Sequence, residues 1–149
     1  MRYQPALQPQ GPIDCVVLSS QNSEFTFLRN VFRLAGVRMH HAGSLCQAAC
    51  LLRTTKSTVL LADVVFEGGT WLSALDLLRD THSLVTMLVV ADRSFPCDVF
   101  PYGACGIVRK PFEFKVVGRL IRIGHEASLE RRALQEENPA CGCSIGSRE

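Results

Sequence analysis

Aromatic residues are scarce in this chain: Phe, Tyr and Trp make up 7% of 149 residues, with a single tryptophan. A single-strand nucleic-acid surface stacks bases on aromatics set among basic residues, and this composition does not supply one. An excess of charge of either sign is also missing. Sixteen Lys and Arg against fourteen Asp and Glu leave a formal charge of +2, too small to argue for a polyanionic partner. No apolar run approaches the ~20 residues of a membrane span. The opening "MRYQPALQPQGP" has no apolar signal core, so residues 1–11 read as a flexible leader. A glycine-rich phosphate loop is missing too: the first apolar run leads into "SSQNSE".

What is present points to one packed domain. Hydrophobic residues are 47% and charged residues 20%, enough for a core in a chain of this length. The seven cysteines are odd in number, and a chain with an ample core does not need disulfides. Reduced thiols and a cytoplasmic location are the expectation.

Five short apolar runs alternate with helical patterns. Residues 13–20, 37–43, 58–65, 84–92 and 106–110 read as strands, the second near an edge. Between them, Phe25, Leu28, Val31, Phe32 and Ala35 recur at helical spacing, with Asn22 or Ser23 as cap and Gly36 as stop. Ser44 caps a second helix with Leu45, Ala48, Ala49 and Leu52 inward. Thr70 caps a third with Leu72, Leu75 and Leu78 on one face. The last helix starts near Glu113, turns Val116, Val117, Leu120 and Ile121 inward, and runs to about Glu137. Residues 93–105 should hold a short or broken helix, because Pro96 and Pro101 restrict it. Strands this uniformly apolar are buried on both faces, so the class is α/β: a parallel sheet between helices, (βα)5. The domain is expected over 12–126, followed by a helical extension and mobile tail over 127–149.

Asp63 ends strand three, before the Gly68-Gly69 turn, and "GIVRKPF" (106–112) ends strand five after "YGACG". This order and spacing resemble a bacterial response-regulator receiver domain, CheY-like, over about residues 13–125. The resemblance implies a flavodoxin-like three-layer sandwich with strand order 2-1-3-4-5 and a site at the carboxyl ends of the strands. It also implies that Asp63 is the phosphoacceptor, Lys110 its phosphate-site partner, and Pro111 a residue after a cis bond.

Other positions depart from the family. Its strand-one acid pair, which helps hold Mg²⁺, is replaced by Ser19 and Ser20. Its strand-four hydroxyl switch is replaced by Val90 and Ala91, with Asp92 a position or two late. The proline usual four residues after the acceptor is Glu67. Serines carry no charge, and Mg²⁺ prefers carboxylates and water. The expectation is therefore weak Mg²⁺ binding, by Asp63 with Glu67 swinging in, and a pseudo-receiver impaired in phosphorylation. Lys110 is expected to pair with Asp63 across the cleft.

The function read from this is two-component signal transduction through protein contacts, with no enzyme activity of its own. Its partner is a histidine kinase or a downstream signalling protein. A homodimer is expected through strand five and the last helix, where Leu120, Ile123, Ala127 and Leu134 run past the domain edge. The alternative is a small flavodoxin-fold nucleotide-binding protein or enzyme. Other features carry blander readings. His40, His41, Cys46 and Cys50 invite zinc, but adjacent strand residues point to opposite faces. Cys141 and Cys143 sit in the tail. Trp71 packs at the start of helix three. Arg109, Lys115, Arg119 and Arg122 form a solvated or protein-docking edge.

Overall fold

The computed structural model of the protein describes residues 12–95 and 99–137. The five apolar runs form five parallel strands: β1 (Ile13–Leu18), β2 (Val37–Ala42), β3 (Val59–Asp63), β4 (Thr86–Ala91) and β5 (Gly106–Arg109). Their order is β2-β1-β3-β4-β5, so β2 is an edge strand and β3 is central. The helical patterns form α1 (Asn22–Arg33), α2 (Leu45–Thr55), α3 (Trp71–Thr81) and α4 (Phe114–Glu137). Ser44 caps α2 by accepting from the Gln47 amide, and Thr70 caps α3 in a reciprocal capping box with Ser73. The α1 cap is Gln21, without a side-chain bond, rather than Asn22 or Ser23. Gly36, at φ +82°, turns the chain out of α1.

Alternation along the strands makes two cores. Val16, Leu60, Ala62, Met87 and Val89 face α2 and α3. Cys15, Val17, Val59, Leu61, Leu88 and Val90 face the opposite way, onto α1 and α4. The result is the three-layer α/β sandwich expected from the apolar strands.

Two helix faces are turned from their expected phase. Leu72 is 44% exposed, because α3 buries Trp71, Ala74, Leu75 and Leu78, and Leu72 lies about 100° round from Trp71. Val116 is likewise 44% exposed, because Val117 and Ile121 set the buried line of α4. The crossover between β4 and β5, where a short or broken helix was expected, holds a 3-10 turn at Phe100–Tyr102 among the described residues; Pro96 lies outside them. Val99 and Ala104 are buried there, and Trp71 meets Phe95 and Tyr102 edge-on at 6.2 and 5.5 Å. Trp71 is thus the packing residue expected, and it anchors this loop.

The last helix runs to Glu137 as expected, and its residues on both sides of position 126 pack on the sheet. His125 Nδ1 lies 2.7 Å from Thr58 Oγ1, and the Arg131 guanidinium donates to Thr86 Oγ1 at 2.5 Å and Leu84 O at 3.3 Å. Gly124 allows this approach: a Cβ there would stand 3.1 Å from Thr86 Cγ2 and 3.4 Å from Val59 Cγ2.

Arg38 clamps Asp14 across the β1–β2 edge with bonds of 3.0 and 2.9 Å, and His40 Nε2 donates to the same carboxylate at 3.0 Å. Burial works against the Asp14 charge, but the Arg38 and His40 hydrogen bonds outweigh it and hold its carboxyl below the usual range. The folded state therefore binds this proton less readily than the unfolded chain. The stabilisation is present above the unfolded value and lost as pH falls through the folded one. Asp14→Asn should lower stability by about 1 kcal/mol at neutral pH, the scale of a partly exposed pair. Urea unfolding should show that difference shrinking as pH falls below the ordinary aspartate range. A pH-independent difference would place the effect outside this ion pair.

Candidate functional site

The tips of β3, β4 and β5 bring polar groups to the carboxyl edge of the sheet. Asp63 is the last residue of β3 and registers beside Val90 of β4. Lys110 follows β5 and is joined to Pro111 by a cis peptide bond. Together with Gln21, Ala91, Asp92 and Ser94 they line one cleft of about 470 Å³. Asp63 and Lys110 therefore lie at the same end of the sheet.

The chain has the receiver fold. Its fold is matched in solved structures of receiver domains. It is similar to the response regulator StyR, at 20% identity and a TM-score of 0.74, over 93% of this chain and 72% of that one. It is similar to the chemotaxis response regulator CheY4 of Vibrio cholerae, at 16% identity and 0.63, over 73% and 98%. It is also similar to a structure named adenylate cyclase from Rhodopirellula baltica, at 12% identity and 0.74, over 84% and 96%. No family model matches the sequence, and no curated protein sequence matches it significantly.

Within this receiver fold the charges are arranged differently from the sequence expectation. Lys110 does not pair with Asp63. Its ammonium is 2.9 Å from Glu24 Oε2, with both side chains 28% exposed. Glu24 lies in the first turn of α1, where a negative charge also favours the helix dipole. It was missed because the acid was sought at the tip of β1. The signal was present in "SSQNSE": α1 starts at once, and its first turn brings the acid back over the cleft. Asp63 is half-buried, and burial raises its carboxyl above the usual range. The Ser19 hydroxyl and the Lys110 charge act in the opposite direction, Glu24 adds to the rise, and His41 lowers it.

Ser19 is buried, and its Oγ accepts the Gln21 amide at 3.0 Å, whereas Ser20 is exposed. Val90 and Ala91 are buried and offer no hydroxyl. A hydroxyl does line the cleft, that of Ser94, but it donates to Asp92 Oδ1 at 2.6 Å, and the Ser94 amide donates to the same oxygen at 2.9 Å. These bonds hold the Asp92 carboxyl below the usual range and occupy it within its own turn.

The expected metal partner of Asp63 also changes. Glu67 does not line the cleft; it lies on the turn joining a two-stranded hairpin of Val65–Phe66 and Gly69–Thr70, bridged to Ser44. The carboxylate that influences Asp63 is Glu24, and Lys110 engages it. Among the described residues no group of three His, Cys, Asp or Glu could hold a metal ion. The donor set does not fit a tight Mg²⁺ site, which wants several oxygen ligands in octahedral array.

The remaining candidates are scattered. His40 serves Asp14, and His41 Nε2 lies 2.8 Å from Ser19 O with its ring 4.9 Å from Phe25. Cys46 and Cys50 are exposed on α2 with free thiols. Arg109 donates to the carbonyls of Asp92 and Phe95 at 2.8 and 3.1 Å, so it braces the cleft loop. Lys115, Arg119 and Arg122 are exposed on α4. Cys141 and Cys143 lie outside the described residues. No helix among them is long and apolar enough to cross a membrane.

Proposed function

We propose that the protein is a receiver-like module of two-component signal transduction, acting through protein contacts rather than catalysis. Asp63 stands at the phosphoacceptor position and reacts poorly. The observation that carries this reading is a central-strand aspartate and a strand-five lysine in one cleft, with the lysine already neutralised by Glu24. Phosphoryl transfer rests on positioning and charge neutralisation. Here the second carboxylate is engaged and the hydroxyl position is filled by Val90 and Ala91.

The partner in this reading is a histidine kinase or a downstream signalling protein, and the self-partner is a second copy. Val116, Ile123 and Leu134 are 44%, 46% and 59% exposed. Their separations of seven and eleven residues are close to whole numbers of helical turns, so they form one apolar line along α4. A homodimer through β5 and α4 would cover that line.

The test is incubation with acetyl phosphate and Mg²⁺, read by intact mass and sedimentation. The expected result is a phosphoryl increment on a small fraction of chains, absent from Asp63→Asn, with a dimer already present before treatment. Complete labelling, with a monomer that dimerises only after labelling, would restore an ordinary phosphate-switched receiver. An increment that persists in Asp63→Asn would remove Asp63 from the acceptor role.

A further inference from the structure

The cleft is lined by the carboxylates of Asp63 and Asp92 and by the Lys110 ammonium, and Glu24 reaches that ammonium from the first turn of α1. We propose that Glu24 is an internal anion for Lys110: a positioning residue that occupies the lysine in competition with whatever negative charge forms on Asp63. This rests on the acceptor reading of Asp63 above.

The geometry carries it. The Lys110–Glu24 contact is a direct ion pair of 2.9 Å at a site where both side chains are largely shielded from water. Such a pair holds an ammonium more firmly than a solvated surface contact does. Lys110 is fixed at its backbone as well, since its amide donates to Ala91 O at 2.9 Å. Glu24 is fixed by its place in the first turn of α1, beside Phe25, which packs in the core. The two anchors place the side chains within reach of each other. Ser19, the residue at the tip of β1, is neutral, so Glu24 supplies the negative charge on that side of the cleft.

The chemical consequence concerns one step. When Asp63 is labelled by acetyl phosphate, a carboxylate oxygen attacks phosphorus. The phosphorus–oxygen bond to the acetyl group breaks, and its electron pair leaves with acetate. Negative charge on the transferring oxygens needs a cation free to meet it. Lys110 is that cation, and Glu24 already neutralises it. The Glu24 charge also repels the incoming anion.

The test uses the full chain and Glu24→Gln, which keeps the shape and removes the charge. The first readout is acetylation of the Lys110 amine by an N-hydroxysuccinimide ester, followed by peptide mass and normalised to exposed Lys56 and Lys115. Releasing the ion pair should raise Lys110 reactivity about fivefold, equivalent to about 1 kcal/mol. The second readout is the phosphoryl increment after acetyl phosphate, which should rise by a similar factor in Glu24→Gln and fall back in Glu24→Asp. Unchanged Lys110 reactivity would show that Glu24 does not hold the lysine and would overturn the proposal. Faster Lys110 acetylation with an unchanged, Asp63-dependent phosphoryl yield would overturn the competition and leave the acceptor reading intact. No phosphoryl increment in any variant would sink the acceptor reading, and the competition with it.

Discussion

Ile121→Ala should lower the unfolding free energy by about 2–5 kcal/mol, the range for truncating a fully buried aliphatic residue. Ile121 is completely buried between α4 and the sheet, in the core formed with Val17, Leu61, Leu88 and Val90. The neighbouring control is Ile123→Ala. Ile123 is 46% exposed on the outer line of the same helix, so its truncation should stay within about 0.5 kcal/mol for the monomer. Denaturant unfolding of both variants at equal concentration tests the phase of α4. Equal losses at dilute concentration would mean that the helix is rotated from the position described. A loss at Ile123 that grows with protein concentration would instead report a buried dimer contact.

The second large effect lies at Gly124. A glycine inside a helix ordinarily costs about 1 kcal/mol relative to alanine, so an exposed Gly→Ala change should stabilise. Here the added methyl would stand 3.1 Å from Thr86 Cγ2, and the crowding offsets the propensity gain. Gly124→Ala should therefore be close to neutral. Gly124→Leu leaves no room and must lift α4 from Thr86 and Val59. It should cost about 1–3 kcal/mol from overpacking alone. Loss of the Arg131–Thr86 and His125–Thr58 contacts would add to that. Thermal or urea unfolding of the pair decides it. A Gly124→Leu protein as stable as the parent would show that the helix does not need this close approach.

These two sites also show what the sequence made legible. The alternation of apolar runs and helical patterns was sufficient for layers and class, because most strand residues are buried on one of two faces; the strand order came with the family resemblance. The caps Ser44 and Thr70 were readable for the same local reason. Phase was harder: Leu72 and Val116 are as apolar as their neighbours, and only the sheet they pack on decides which side turns inward. The β4–β5 crossover was legible only as short or broken, because its packing comes from Trp71, more than twenty residues earlier. The pairing of Lys110 was misread because chemistry was sought at strand tips. Glu24 reaches Lys110 from the first turn of a helix, a place that a search of strand tips passes over. Gly124 has no local reason inside a helix, since its reason is the distant Thr86.

The dependence of one sheet face on α4 has a consequence for synthesis. Translation delivers the chain from its N-terminus at about 5–20 residues per second. All five strands and three helices have emerged by Arg109, before any of α4. At that moment α1 alone lies on the face lined by Leu61, Leu88 and Val90, and the half that Val117 and Ile121 later cover is open to water. A ribosome-held chain ending at residue 113 is thus a sticky intermediate rather than a small finished domain. Burial becomes complete only when α4 has cleared the exit tunnel.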